Sequence, residues 1–116
     1  MHYIYTKMKL FVIDWSKESS TPLIDFCRGC GHELVGRELQ DGAEAYRKTA
    51  NAKADAIVVN YAVKPSHGRM AADSIHKRKG TSQIPIYFIN GEEEENEKVA
   101  NIGICLSDEE LRDLLL

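Results

Sequence analysis

The clearest pattern in the chain is a set of short apolar runs, each closed by a polar residue and followed by a segment of helical spacing. Ala56-Ile57-Val58-Val59 is unbroken, mostly β-branched, and stops at Asn60. A run of this kind reads as a strand buried on both faces, as at the centre of a parallel sheet. Leu10-Phe11-Val12-Ile13 is a second such run, ended by Asp14 and Trp15. Ile84 to Ile89 is a third, ending at Asn90-Gly91, and Ile102 to Leu106 is the last. Leu34-Val35 is weaker and suits an edge strand.

Helical patterns fill the intervals. Ser16 to Ser20 reads as a polar loop. Thr21-Pro22 predicts an N-cap with proline at the first helical position, Leu23, Phe26, Cys27 and Cys30 follow, and Gly31 stops the helix. Asp41-Gly42-Ala43-Glu44 predicts a cap with a helper carboxylate, opening a helix through Tyr46 towards Ala52. Gly68 to Arg78 predicts a helix with Met70, Ala71, Ser74 and Ile75 facing inwards and Gly80 as its stop. The acidic stretch Glu92 to Ala100 holds two or three turns. Ser107-Asp108-Glu109-Glu110 is a capping box ahead of Leu111, Leu114 and Leu115. Strand and helix alternate five times, which calls for an α/β fold with a parallel sheet, helices on both faces and right-handed crossovers.

Composition changes this picture little. A chain of 116 residues, 43% apolar and 28% charged, makes one domain with a single core. Its net charge of −3 gives no electrostatic reason to expect nucleic acid or an anionic membrane as partner. No apolar run has the length of a membrane span, and Leu10 to Ile13 is too short for a signal-peptide core. Three cysteines form no even framework, so a reducing, cytoplasmic setting is expected. Met8 is a candidate start as well as Met1, and residues 1–8 are expected to be an appendage to a domain spanning 9–116.

Between Lys9 and Leu115 the sequence resembles the response-regulator receiver domain, the CheY-like signalling module. Asp41-Gly42-Ala43-Glu44-Ala45 is similar to the "DG-x-x-A" opening of that family's second helix. Asn60 falls where the family keeps its phosphoacceptor aspartate, with Gly68 eight residues on and Pro65 in the loop between. Pro85 begins a strand of the family's fourth-strand type, and Ser107 to Leu111 resembles its "S-x-E-E-L" final helix. The resemblance implies a flavodoxin-like (βα)5 three-layer sandwich with a parallel five-stranded sheet of order 2-1-3-4-5.

Four departures set this chain apart from the resemblance. Asn60 offers an amide, whose oxygen is a far weaker nucleophile than a carboxylate. The acidic pair after the first strand is reduced to Asp14 followed by Trp15, which leaves one carboxylate for a Mg²⁺ ion. Asn90 replaces the hydroxyl residue, and Ile104-Cys105-Leu106-Ser107 supplies no lysine. The expectation is a degenerate, non-catalytic receiver without metal or cofactor, its former pocket marked by Asp14, Trp15, Asn60 and Asn90. These amides and the carboxylate hold the strand ends together in the plainer reading, and form a small-ligand sensor pocket in the alternative. Trp15 covers that site, anchors a partner or packs on the first helix; packing is the simpler expectation.

The resemblance places a protein-partner surface near Tyr87, Glu92, Glu93, Ile102 and Cys105, with homodimerisation left open. A competing class is a thiol redox protein. Cys27-Arg28-Gly29-Cys30 is a C-x-x-C pair, and the stretch around Pro85 echoes thioredoxin near its cis-proline. The pair nevertheless lies in the last helical turn, where the dipole does not favour a thiolate. As half of a zinc site its remaining candidates are Cys105, His32, His67 and His76, without a second C-x-x-C.

Overall fold

The computed structural model describes residues 7–15 and 20–116. Strands and helices alternate in the order β1 Lys9–Asp14, α1 Ser20–Gly29, β2 Glu33–Glu38, α2 Gly42–Ala52 and β3 Ala56–Asn60. They continue with α3 Pro65–Lys77, β4 Ile86–Ile89, α4 Glu93–Lys98, β5 Ile104–Leu106 and α5 Asp108–Leu115. Every strand pair is parallel, as the alternation calls for, and the sheet order is β2-β1-β3-β4-β5, the order the resemblance implies.

The period of two along each strand divides the core into two layers. Leu10 and Val12 of β1, with Ala56 and Val58 of β3, meet Leu23, Ile24 and Cys27 of α1 and Leu111 and Leu115 of α5. Phe11, Ile13, Ile57 and Val59 point the other way, onto Ala45 of α2, Ala72 and Ile75 of α3, and Val99 beyond α4. β3 is buried along its whole length, which explains its unbroken apolar sequence.

Several local expectations change. Helix α1 begins at Ser20, so Thr21 lies inside it and is not its cap. Pro22 is tolerated there because the first four N–H groups of a helix have no partner within it. Gly31, at φ 85°, does follow the end of α1. Asp41 caps α2, its Oδ1 accepting from the Ala43 N–H at 2.9 Å. The reciprocal carboxylate is Glu38, at the end of β2, and not Glu44. Glu38 accepts from the Gln40 and Asp41 N–H groups at 3.0 and 2.9 Å, whereas Glu44 pairs with Arg47. Burial pushes the Glu38 carboxyl up, but the Lys48 hydrogen bond and these two N–H donors outweigh it and hold the group below its ordinary range.

Helix α3 is rotated from the expected phase. Gly68, Ala71, Ala72 and Ile75 are buried, while Met70 is 67% exposed and Ser74 also faces out. A Cβ on Gly68 would stand 2.8 Å from the Cβ of Tyr61, so the helix rests on the sheet at this glycine and its phase follows. In α5, Leu111 and Leu115 are buried and Leu114 is exposed. Strands β4 and β5 start two residues later than expected. Ile84 and Ile102 are held in turns, their N–H groups donating to Thr81 O at 3.2 Å and Val99 O at 2.9 Å.

Residues 1–6 of the expected appendage, and most of the polar loop before α1, lie outside the described residues. Met8 packs against the α1/α5 layer. Its N–H donates to Nδ1 of the buried His32 at 3.1 Å, and Nε2 of the same ring reaches the Leu115 carbonyl at 2.6 Å. No described helix is long and apolar enough to cross a membrane.

Candidate functional site

In an open parallel sheet, ligands meet the carboxyl ends of the strands. Asp14 and Asn60 are register partners at the ends of β1 and β3, and both are buried. The Asn60 amide donates through Nδ2 to Asp14 Oδ2 at 3.2 Å, while its Oδ1 accepts from the Ala62 N–H at 3.3 Å. Asn90, just past β4, donates from Nδ2 to the same Oδ1 at 3.5 Å. Asn90 takes the left-handed conformation at φ 63°, which asparagine tolerates better than most residues. The structure therefore brings Asp14, Asn60 and Asn90 together, through bonds on the long side of the usual range.

A cavity of about 260 Å³ opens beside them, lined by Pro22, Leu23, Asn60, Ile89, Asn90, Asp108 and Arg112. Asp108 and Arg112 lie one turn apart on α5 and are paired at 2.9 Å, Arg112 Nε donating to Asp108 Oδ2. The sequence reading missed this pair. The signal was present: the capping box at Ser107 fixes the start of α5 and so puts positions 108 and 112 on one face.

Trp15 belongs to a different environment. It packs in the α2/α3 layer, on the opposite face from the expected first helix. Asp14 occupies the α1/α5 face at the mouth of β1, and the pleat turns its neighbour to the other side. The Trp15 Nε1 is buried with no hydrogen-bond partner among the described residues.

The residues expected to border a partner surface divide between both faces of the β4–β5 edge. Tyr87 is half-buried in the α1/α5 layer, Ile102 and Cys105 are half-buried in the other, and Glu92 and Glu93 are exposed at the start of α4. Ile104, which the sequence reading did not single out, is the large exposed apolar side chain on this edge at 54%. On the α4 side, the fully buried Tyr61 donates its hydroxyl to Asn96 Oδ1 in a short hydrogen bond and lies 4.0 Å from Cys105 Sγ. Burial, with Cys105 and Glu95 nearby, pushes the Tyr61 phenol well above the ordinary tyrosine range.

Cys27 in the last turn of α1 and Cys30 just past its end do not form an activated pair. Cys27 is buried, and desolvation, followed by the neighbouring Cys30, raises its thiol to about 11. A reactive thiol needs the opposite shift. A Mg²⁺ ion, which the resemblance would bring to the strand mouths, finds a poor donor set there. Asp14 is the single acidic residue at the ends of β1 and β3, and among the described residues no three His, Cys, Asp or Glu side chains are grouped to hold a metal.

No family model matches the sequence, and no curated protein gives a significant match. Solved structures do match in fold. The receiver domain of sensor histidine kinase PA1611 from Pseudomonas aeruginosa, determined with a magnesium ion in its active-site cleft, superposes with a TM-score of 0.75 at 18% identity, covering 95% of each chain. The chemotaxis response regulator CheY4 of Vibrio cholerae gives 0.73 at 18% identity, covering 96% of this chain and 100% of that one. The receiver domain of PhyR from Erythrobacter litoralis gives 0.67 at 16%, covering 92% and 85%. The chain thus has the flavodoxin-like, CheY-type architecture of receiver domains.

Proposed function

We propose that this chain is a receiver-like signalling module that recognises a protein partner and is not switched by aspartyl phosphorylation. The observation that carries this reading is the Asp14–Asn60 pair. At the end of the central strand, where a receiver presents its nucleophilic carboxylate, an amide donates a hydrogen bond to a buried acid. An amide nitrogen has no lone pair for attack on phosphorus, and its oxygen gives no stable phosphoryl adduct. The lone acid of the pair is already engaged by that amide, which speaks against in-line chemistry with a bound cation.

A module without this switch acts through a fixed surface. The β5 edge, with Ile104 exposed and Tyr87, Ile102, Cys105, Glu92 and Glu93 around it, is the surface we assign to the partner, in a reducing cytoplasm. The raised thiol of Cys27 and its position at the end of α1 disfavour the redox alternative. Incubation with acetyl phosphate and Mg²⁺, followed by intact mass measurement, tests the proposal. The expected result is an unmodified chain; a stable adduct of one phosphoryl group overturns it.

A further inference from the structure

The cavity at the strand mouths has a charge pattern that the signalling reading leaves unused. Arg112 meets Asp108 through Nε, and its guanidinium lies 4.6 Å over the Phe26 ring. Among the described residues its two terminal nitrogens donate no hydrogen bond. A guanidinium seated over an aromatic ring, with its Nη atoms uncommitted among the described residues, is available for bidentate binding of a carboxylate. Asp108 supplies a carboxylate on the same rim, and Asn90 adds an amide oxygen with no donor among the described residues. Pro22, Leu23 and Ile89 make the remaining wall apolar.

These groups select between ligand charges. Among the described residues Arg112 is the one cation of the lining, faced by Asp108 on the rim. A simple anion such as phosphate would gain Arg112 and be repelled by Asp108. A simple cation would meet Arg112. A molecule with a carboxylate at one end and an ammonium at the other satisfies both charges. The Asp108–Arg112 pair is a partly exposed pair one turn apart on a helix, so little stability opposes its opening to admit such a molecule.

We propose that this cavity is a binding site for a small zwitterion of the α-amino acid class. Arg112 takes the carboxylate, Asp108 and the Asn90 Oδ1 take the ammonium, and the Leu23–Ile89 wall accommodates a short side chain. A volume of about 260 Å³ admits a small amino acid. The inference rests on the reading that the strand mouths have given up phosphoryl chemistry, since a phosphorylated site needs the same space.

The test is titration of the ¹⁵N-labelled full chain with glycine, alanine, serine and the larger amino acids. The signals followed are the Arg112 Nε–H and the side-chain amides of Asn60 and Asn90. Acetate and methylamine serve as the two separated halves of the zwitterion. The expected result is a saturable shift of these signals by at least one small amino acid, at least tenfold tighter than by either half. Arg112→Met, which keeps an apolar side chain over Phe26, should abolish the shift, and Asn90→Ala should weaken it. If Arg112→Met fails to fold, Asn90→Ala and the acetate comparison still decide. No saturable shift from any amino acid, or acetate binding as well as the zwitterions, overturns the proposal. Intact mass after acetyl phosphate reports separately on the signalling reading, so the two can fail independently.

Discussion

Asn60 and Tyr61 are consecutive residues of one strand end, and the pleat sends them into contrasting surroundings. On the α4 side, Tyr61 is sealed. Its ring lies 5.1 Å from that of Phe88, a Cβ on Gly91 would stand 2.3 Å from it, and its hydroxyl is tied to Asn96. On the α1/α5 side, Asn60 joins a loose set of amide bonds of 3.2–3.5 Å beside an open cavity. The tight side holds a helix to the sheet, whereas the loose side leaves room for a ligand. Close packing is the usual state of a protein interior, so the open side is the informative one.

This contrast can be broken from either side. Tyr61→Ala should have the largest effect, a loss of about 3–5 kcal/mol in urea unfolding, because a fully buried aromatic leaves a cavity that the sheet cannot close. The native Tyr61 also gives a pH signature. Its phenol is raised by folding, so its contribution is complete below the ordinary tyrosine value of about 10 and declines as the pH rises above it. Alkaline titration followed by absorbance should therefore show one tyrosine ionising only as the fold is lost.

Asn60→Asp comes next, at about 1–3 kcal/mol, since it exchanges a donor to Asp14 for a second negative charge. That loss should shrink on acidification, when one carboxyl of the pair protonates. An unchanged loss at low pH would point to shape and not charge. Tyr61→Phe should cost about 1 kcal/mol, the net worth of one hydrogen bond. Asn90→Ala should be the smallest, within about 0.5 kcal/mol for the lost 3.5 Å contact, with any excess reporting the left-handed backbone that alanine tolerates less well.

Much of the architecture was legible because each strand announces itself as an apolar run closed by a polar residue, and the edge strand as a weaker one. The phase of α3 was not, since it depends on Gly68 meeting Tyr61, a contact between elements that no local pattern encodes. The cap of α2 was half legible: Asp41 is local, but its second carboxylate comes from β2. At the strand mouths, Asp14, Asn60 and Asn90 were found from position alone. The side taken by Trp15 follows from parity, since it shares its face with Phe11 and Ile13. Arg112 was missed because its importance lies in Phe26 and Asp108, one of which sits on a different helix.

The buried ring of His32 accepts from Met8 and reaches the Leu115 carbonyl, so one imidazole spans the gap between the first strand's approach and the end of the last helix. A short covalent bridge from Leu115 back to Met8 therefore has little distance to cross. A circular permutant joined there and reopened in the exposed turn near Gln83 should keep the sheet order, with its new ends at the opposite pole from the ligand cavity.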